Sequence, residues 1–281
     1  MEDVGAKVRT VRTGRGVSLR ALARLIGVSP ATLSQIETGR TRLTVPRLSR
    51  IADALGVSVT HILHTAATDA PAPPAPASAW RLYEPLDFDP VLRAALDEFV
   101  HIGYHGATVR SIAARAGMSV PGIYHHYRGK QAMLMAIERY TMADLLARAE
   151  AAKAEGADPV ERFSLLIEHL ALYHTHRAEL GFVGAAEKRS LDPCNAKTIA
   201  KLRTEQQRLV DREVADAVRI GRFRADQPHE RARAVVTMCT ALPTWWRPDG
   251  PYPPEAIARQ YVDFALDLMR AVSPAATAAP A

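Results

Sequence analysis

Apolar residues recur every three or four positions through most of the chain, and this spacing places them on one face of an α-helix. The segment that contains Ile257, Tyr261, Phe264 and Leu268 is one example, and no segment alternates in the way a strand would. Prolines stand near the expected beginnings of later helices, at positions 159, 193, 228, 253 and 254. The pattern therefore predicts an all-α protein.

Two stretches interrupt the helical pattern. Residues 66–78 read AATDAPAPPAPAS, and the chain ends in SPAATAAPA from Ser273. Closely spaced prolines block helix formation and favour an extended chain. We therefore predict a first domain over residues 1–65, a linker over 66–80, further domains over 81–135 and 136–272, and a disordered tail over 273–281.

Positive charge is concentrated in the first of these domains. The net charge is +6, and residues 1–65 alone hold ten Lys and Arg against four Asp and Glu. Such a concentration suits binding to the phosphate backbone of a nucleic acid, although a solvated basic face gives the same count. The sequence has no apolar run of about eighteen residues and no signal-peptide layout at its start, so we expect a cytoplasmic protein with no membrane partner.

The cysteine and histidine residues of the sequence give little evidence for metal or redox chemistry. Cys194 and Cys239 belong to no CxxC or CxxH motif, so neither a disulfide framework nor a structural zinc site is expected. Zinc usually needs three or four protein ligands, and no cysteine or acidic cluster completes a site near the histidines. We therefore predict no metal and no cofactor, and we expect a surface or DNA-facing position for His101, His105, His125 and His126.

The sequence from Ser18, SLRALARLIGVSPATLSQIETGR, has the layout of a helix-turn-helix. One amphipathic helix ends at Gly27, and Ser29 and Pro30 suit the N-cap and first residue of a second helix. If Leu33 and Ile36 pack inward, the remaining side chains face outward, as a recognition helix requires. Gln35 suits a contact with adenine.

This stretch resembles the Cro/C1 (XRE-like) type of helix-turn-helix domain over residues 4–64, on the residues Ser34, Gln35, Ile36, Glu37 and Gly39. The resemblance implies a five-helix bundle, a structural role for Glu37 in orienting the following loop, and arginines against phosphates. A generic helical bundle is the alternative. The expected DNA contacts of this first module are Ala31, Thr32, Ser34, Gln35, Arg40 and Arg42.

A second helix-turn-helix follows the linker. A helix over 89–102 ends at Gly103, Thr108 suits the cap of VRSIAARAG, and Ser119 suits the cap of a short helix that leads into YHHYRGK. Aromatic and imidazole groups at a helix end suit phosphate and thymine contacts. At about 3.1 Å per residue the linker reaches roughly 40 Å, which would let the two modules touch neighbouring sites on DNA.

Residues 88–135 resemble the DNA-binding domain of the TetR/AcrR family. The matching residues are Thr108, Ile112, Ala113, Ala116, Gly117, Ser119, Ile123, Tyr124, Tyr127, Lys130 and Leu134. Val120 and Pro121 depart from the polar or glycine residues common there, which suggests largely apolar base contacts. The resemblance implies that Tyr124 and Lys130 contact phosphates, and the expected DNA contacts of this second module are Thr108, Val120, Gly122, Tyr124, His125, His126 and Lys130.

The remaining chain resembles the helical regulatory domain of the same family. Helices are predicted over residues 131–154, 159–174, 178–187, 195–219, 230–246 and 255–271. The resemblance implies that the last two long helices pair across a two-fold axis and that the earlier ones surround an effector cavity. A homodimer with two recognition helices about 34 Å apart would match a palindromic operator in double-stranded DNA.

The segment TWWRPDGPYPP, residues 244–254, resembles a helix end in a subgroup of repressors of fatty-acid and steroid breakdown. Some members respond to acyl-CoA thioesters, so the resemblance implies an acyl-CoA or another lipophilic effector. Basic side chains would meet its phosphates, and Trp245 and Trp246 would either contact the effector or anchor the dimer interface. The candidate effector-binding residues are Arg177, Lys188, Arg189, Trp245 and Arg247.

Three functions remain open at this stage. The leading interpretation is a repressor that an effector releases from its operator, and an activator or constitutive DNA-binding regulator is the second. An enzyme is the third, because Glu168, His169 and Asp192 offer acid and base groups. No nucleophile motif, phosphate loop or paired carboxylates support catalysis, so we expect no enzymatic activity.

Overall fold

The computed structural model describes residues 4–15, 17–39, 41, 43–64 and 80–272. These residues form fourteen α-helices and no strand, apart from one isolated bridge between Phe223 and Ala271, so the all-α prediction is confirmed. The chain divides into two units, with residues 4–64 in the first and 80–272 in the second. Residues 66–79 of the linker expected over 66–80, the tail over 273–281, and Arg40 and Arg42 lie outside the described residues.

The first unit is a bundle of five helices around an apolar core. Leu22, Leu33, Ile51 and Ile62 are completely buried in it. The helices are α1 (Val4–Gly14), α2 (Leu19–Leu25), α3 (Pro30–Glu37), α4 (Val45–Leu55) and α5 (Val59–His64).

A buried ion pair ties the first helix of this unit to the third. Arg12 on α1 donates from Nε and Nη2 to the two carboxylate oxygens of Glu37 on α3, at 2.7 and 2.9 Å, and from Nη1 to the carbonyl of Val17 at 2.8 Å. Glu37 therefore has a structural role that joins α3 to α1. Loss of either partner would leave an uncompensated buried charge.

The second unit contains nine helices. Two short 3₁₀ turns, Glu187–Ser190 and Leu242–Thr244, interrupt their sequence. The helices are α6 (Pro90–Gly106), α7 (Val109–Arg115), α8 (Val120–His126), α9 (Lys130–Ala154), α10 (Pro159–His176), α11 (Ala178–Ala186), α12 (Pro193–Arg219), α13 (Pro228–Thr240) and α14 (Pro254–Leu268).

Two helix ends differ most from the sequence prediction. Helix α6 continues past Gly103 to Gly106 through a kink, because Gly103 adopts φ 73° and ψ 163°. Helix α13 ends at Thr240 rather than at residue 246, and Pro243, which has no N–H to donate, lies in the 3₁₀ turn that follows. No helix among the described residues combines the length and apolarity that crossing a membrane requires.

The N-terminal end of the second unit lies against its core. Trp80 was expected in the linker, but its side chain is buried in the apolar core that also contains Phe163, Leu166 and Ile167, so the second unit includes Trp80. Residues 80–89, which we call the strap, lead from Trp80 to the N-cap of α6 at Asp89.

Candidate nucleic-acid interface and effector cavity

Helices α2 and α3 form the helix-turn-helix of the first unit. Ser29 accepts a hydrogen bond from the N–H of Thr32 at 3.0 Å, and Gly27 makes the turn with φ 69°. Leu33 and Ile36 point into the core, which leaves the opposite side of α3 toward solvent. Of the expected contacts, Ala31 and Gln35 are exposed, whereas Thr32 and Ser34 are half-buried.

The exposed amide of Gln35 is held in place by a neighbour. Thr41 Oγ1 donates to Gln35 Oε1 at 3.2 Å, and the hydroxyls of Ser29 and Thr32 lie 2.8 Å apart. An oriented amide on the outer face of a second helix is the arrangement that reads a base edge in the major groove.

Helices α7 and α8 form the corresponding pair in the second unit. Thr108 and Ser111 make a reciprocal capping box, with N–H to hydroxyl distances of 2.9 and 3.0 Å. Ser119 accepts from the N–H of Gly122 at 3.2 Å, and Ile123 is fully buried beneath α8. Thr108 is thus occupied in a cap at the start of α7.

The outer face of α8 carries the predicted contacts. Tyr124 and His125 are exposed, and Val120, Gly122 and His126 are half-buried beside them. Tyr124 is 46% exposed, although Ile123 beside it is fully buried. These side chains form a surface of aromatic, imidazole and apolar groups, which suits contacts with phosphates and thymine methyl groups.

Lys130 occupies a different position from the other expected contacts. Its Nζ donates to the carbonyls of Tyr104 and Ala107 at 2.6 and 2.5 Å and lies 4.5 Å from the centroid of the Tyr104 ring. Partial burial lowers the pKa of Lys130, and the nearby Glu187 carboxylate opposes that effect. The ammonium caps the end of α6, so we infer a positioning role for Lys130 in place of the expected phosphate contact.

Two side chains that the sequence analysis did not single out, Asp89 and Glu98, join the helix-turn-helix of the second unit to α6. Asp89 accepts from the N–H groups of Val91 and Leu92 at 2.9 Å each and from the Tyr127 hydroxyl at 2.6 Å. Glu98 pairs with Arg115 at 2.7 Å, which joins α6 to α7. The signal for Asp89 was its position before Pro90, which marks an N-cap.

The turn formed by residues 187–192 joins helices α6–α8, which we call the DNA-binding head, to the rest of the second unit. Glu187, at the start of the 3₁₀ turn after α11, accepts from the backbone N–H of Tyr104 at 2.9 Å and from the Ser190 hydroxyl at 2.6 Å. Gln131 donates to the carbonyl of Ser190 at 2.9 Å and accepts from the N–H of Asp192 at 3.0 Å. The turn 187–192 is therefore fixed to α6 at its kink and to the first turn of α9.

A cavity of about 950 Å³ lies among α9, α11, α12, α13 and the turn 187–192. Both apolar and charged side chains line it, and four of its basic side chains, Lys188, Lys197, Arg208 and Arg233, are exposed. Sites for small molecules commonly combine apolar walls with polar groups that fix the orientation of the ligand. The apolar lining includes Met142, Leu145, Leu180, Leu191, Ile199 and Val236, and the basic lining is Lys188, Lys197, Arg203, Arg208 and Arg233.

One wall of the cavity contains a buried ion pair. Arg203 on α12 donates from Nη2 to Oε2 of Glu138 at 3.2 Å and to the carbonyl of Gly184 at 2.5 Å. Burial raises the pKa of Glu138, and the charge of Arg203 opposes the shift. The other carboxylate oxygen, Oε1, has no hydrogen-bond partner among the described residues.

A buried histidine also lines the cavity. His174 Nδ1 lies 2.8 Å from the carbonyl of Leu170, and burial lowers the pKa of His174 to about 4. The imidazole is therefore neutral at physiological pH. Sequence reasoning missed both Glu138 and His174, although a single carboxylate within the apolar segment MLMAIERYTM was a visible signal.

The structure brings only one of the five expected effector-binding residues to the cavity, Lys188. Arg177 is buried under the strap, where Nη2 donates to the carbonyl of Glu84 at 2.6 Å. Trp245, Arg189 and Arg247 are exposed and do not line the cavity. Charge along the sequence did not show which helix faces point inward, and four of the five candidates lie away from this cavity.

The two tryptophans near residue 245 have different environments. Trp246 is 7% exposed and donates from Nε1 to the carbonyl of Tyr252 at 3.0 Å, so it packs within its own chain. Trp245 is 50% exposed. Of the pair, only Trp245 remains available to a dimer interface.

The three acid and base groups that suggested an enzyme, Glu168, His169 and Asp192, each lie in a different structural environment. Glu168 pairs with Arg81 at 2.7 Å, and Asp192 is the N-cap residue of α12. His169 is fully buried between the rings of Trp80 and Tyr173, with centroid distances of 6.1 and 6.0 Å. Among the residues that the structure describes, no three His, Cys, Asp or Glu side chains gather as metal ligands.

Two helix-turn-helix modules with exposed recognition faces, followed by a helical domain with a cavity, define a DNA-binding regulator. Family models agree with this class. The model for bacterial regulatory proteins of the tetR family matches residues 91–137, the tetracyclin repressor-like C-terminal domain matches 156–269, and a helix-turn-helix model matches 8–62. The chain belongs to the TetR family of bacterial regulatory proteins, a family of transcriptional regulators rather than enzymes, and carries an additional N-terminal helix-turn-helix domain.

Individual relatives match different parts of the chain. The repressor KstR2 of Rhodococcus jostii is 27% identical over 186 residues, which cover 63% of this chain and 88% of KstR2. A crystal structure of AibR in complex with isovaleryl coenzyme A and operator DNA matches with 25% identity and a TM-score of 0.58, over 65% of this chain and 97% of AibR. The regulator RamB of Mycobacterium tuberculosis is 46% identical over 57 residues, 20% of this chain but only 12% of RamB.

Proposed function

We propose that this protein is a homodimeric repressor that binds a palindromic operator through α8 and leaves it when an acyl-CoA-type effector fills the cavity. The observation that carries the proposal is the placement of the turn 187–192. Its Lys188 and Leu191 line the cavity, while its Glu187 holds the kink of α6 in the DNA-binding head. A ligand that displaces this turn would therefore alter the position of α8.

The DNA side of the proposal rests on the exposed faces of α3 and α8. Tyr124, His125 and Val120 would contact the operator from the second module, and Gln35 with Ala31 would contact DNA from the first. We place the functional domains at residues 4–64, 81–135 and 136–272, with the strap belonging to the second unit. The basic excess in residues 1–65 would make binding by the first module salt-dependent.

Dimerisation through the last two helices is supported by exposed apolar side chains. Phe264 on α14 is 49% exposed, and Trp245 just before that helix is 50% exposed. Large aromatic residues that stay uncovered in one subunit are typical of subunit interfaces. We infer that α13 and α14 pair with their copies in a second chain.

The effector class follows from the composition of the cavity. Its apolar interior suits an acyl group, and the exposed Lys197, Arg208 and Arg233 at its side suit the phosphates of coenzyme A. The solved relative AibR was crystallised with isovaleryl coenzyme A, which supports this class. An activator or a constitutive regulator remains the alternative, and it would bind the same DNA without an effector response.

A pair of tyrosine variants tests the DNA-binding surface. Binding of the purified full chain to DNA flanking its own gene is measured by fluorescence anisotropy at fixed salt. Tyr124→Ala is expected to weaken binding about tenfold, because lost interface anchors cost about 1–3 kcal/mol. Tyr252→Ala, which also removes a half-exposed tyrosine but lies outside both modules, is the matched control. Equal affinity of the two variants would reject α8 as the reading helix.

A further inference from the structure

Glu138 places an unpaired acceptor in the wall of the cavity. The side chain is 1% exposed, and Arg203 donates to Oε2 at 3.2 Å, whereas Oε1 has no hydrogen-bond partner among the described residues. Gly184 also lines the cavity, and a Cβ atom at that position would lie 3.9 Å from Oε1, so this oxygen lies at the cavity wall. A buried acceptor without a donor is unfavourable, so a molecule that brings a donor to Oε1 would gain binding energy there.

The ion pair between Glu138 and Arg203 is costly as a purely structural contact, because apolar residues of similar volume are often as stabilising as a buried pair. Burial raises the pKa of Glu138, but the charge of Arg203 beside Oε2 favours the ionised carboxylate, so both oxygens act as acceptors. The last torsion of a glutamate side chain has a broad range, so Oε1 can adjust to a bound molecule. Glu138 is therefore available to a ligand as an acceptor.

The ring of His174 adds a second acceptor to the same lining. Its Nδ1 lies 2.8 Å from the carbonyl oxygen of Leu170, which can only accept, so the proton of the neutral imidazole is on Nδ1 and Nε2 keeps its lone pair. The neighbouring Cδ2 atom faces Gly181, another residue of the lining, where an added Cβ would lie 2.9 Å away. The imidazole thus offers an acceptor to the cavity and no donor.

The hydroxyl groups in the lining are already used as donors. Four threonines of the cavity donate from Oγ1 to backbone carbonyls of their own helices, at 2.8 to 3.0 Å. They are Thr141, Thr204, Thr237 and Thr240. Their oxygens keep lone pairs but have no second proton to give. Together with Glu138 and His174, these hydroxyls make a wall of acceptors, whereas the exposed basic side chains offer donors to an anionic group.

We propose that the cavity selects an effector whose buried part carries a hydrogen-bond donor, a hydroxyl or an amide N–H group, and that Glu138 accepts from this donor. The proposal rests on the effector role proposed above for the cavity, and it narrows the class of effector. In a coenzyme A thioester, the donor is either a hydroxyl on the acyl chain or an amide N–H of the pantetheine arm. A saturated hydrocarbon chain beside Glu138 would leave Oε1 without a partner, and sites that bond a hydroxyl discriminate strongly against ligands that lack it.

Binding of matched ligands to the full-length protein tests the proposal. Isothermal titration calorimetry compares octanoyl-CoA with its 3-hydroxy and terminally hydroxylated derivatives, and dodecanoate with its terminally hydroxylated derivative. Glu138→Gln keeps an oxygen for Arg203 but replaces the unpaired acceptor with an amide donor. Glu213→Gln is the matched control, because Glu213 is also a buried glutamate that pairs with an arginine, Arg162 at 2.7 Å, and it does not line the cavity.

The wild type and Glu213→Gln are expected to bind a hydroxylated ligand at least about tenfold more tightly than its saturated counterpart, and Glu138→Gln should lose this preference. If the pantetheine amide is the donor, Glu138→Gln should instead weaken every thioester about tenfold, hydroxylated or not, while Glu213→Gln binds as the wild type does. The wild-type preference is measured without any variant, so it decides the question even if Glu138→Gln folds poorly.

The two ligand series separate this proposal from the effector class on which it rests. A preference for the hydroxylated carboxylate without binding of any thioester would reject coenzyme A thioesters and keep the requirement for a donor. Equal affinities of the three proteins for every ligand would overturn the proposal and leave the ion pair as a contact between α9 and α12. Binding of no ligand in either series would overturn the proposal together with the effector class.

Discussion

The carboxylate of Glu187 accepts a hydrogen bond from the backbone N–H of Tyr104 at 2.9 Å, directly after the kink at Gly103. Glu187 belongs to the turn that borders the cavity, whereas Tyr104 belongs to the helix that supports the DNA-binding head. A Cβ atom at Gly103 would lie only 3.3 Å from Oε1 of Glu187, so glycine also permits this close approach. One bond thus links the two functional surfaces of the second unit.

We predict that Glu187→Ala weakens the response to the effector. Without the carboxylate, the Tyr104 N–H loses its partner and the turn no longer constrains the kink. Coupling between two sites is typically about 1–3 kcal/mol, so the ratio of operator affinities without and with effector should fall at least threefold. Glu150→Ala, which removes an exposed glutamate paired with Lys153, is the control. A full response in Glu187→Ala would show that coupling follows another route.

Two glycines of α11 should respond in opposite directions to alanine. At Gly181 the added Cβ would lie 2.9 Å from both His174 Cδ2 and Pro243 Cγ, so Gly181→Ala should destabilise the protein by about 1–3 kcal/mol through overpacking. At Gly184 the nearest atom is 3.7 Å away, so Gly184→Ala should stabilise by up to about 1 kcal/mol through helix propensity. Urea unfolding measures both, and equal effects would contradict the packing described for α11.

We predict that Lys130→Met lowers stability without changing the salt dependence of operator binding. The ammonium bonds two backbone carbonyls, and hydrogen bonds that involve a charged group contribute about 1.5–3 kcal/mol. Chemical denaturation should report a loss within that range. If Lys130 instead contacted a phosphate, the slope of log affinity against log salt would decrease in magnitude by about 0.9 for each copy bound.

Buried histidines predict a loss of stability in mild acid. Burial lowers the pKa of His169 to about 3 from an ordinary 6.5, so the unfolded chain binds a proton below about pH 6.5 that the folded chain does not. The free energy of unfolding should therefore decrease as pH falls through that range, by up to about 1.4 kcal/mol per pH unit for each such histidine.

Replacement of this imidazole tests the assignment. His169→Phe keeps an aromatic ring between Trp80 and Tyr173 and should make the decline in stability between about pH 6 and about pH 5 shallower. His125→Phe, at an exposed position, should leave the slope unchanged. Parallel profiles for His169→Phe and the wild type would show that His169 is not the source of the acid sensitivity.

Local sequence signals predicted most helices because caps and apolar spacing are encoded within a few residues. Ser29 and Ser119, for example, cap α3 and α8 as expected. The sequence analysis assigned Trp80 to the linker because its hydrogen-bond partner Glu155 lies 75 positions away, beyond the range of any local sequence pattern. The sequence analysis assigned Arg177 to the effector site for a related reason. Only the packing of the strap shows that the Arg177 side chain donates to the carbonyl of Glu84 and does not face the cavity.

The central claim is tested most directly by operator binding of the full-length protein in the presence of acyl-CoA thioesters, from isovaleryl-CoA to palmitoyl-CoA, with free CoA as control. We predict that at least one thioester releases the complex while free CoA does not. Release should be weakened in Ala200→Trp, which adds a bulky ring to the cavity lining, but not in Ala215→Trp, on an exposed part of α12 that does not line the cavity. A specific complex that ignores every thioester, or equal release from both variants, would contradict an acyl-CoA effector in this cavity.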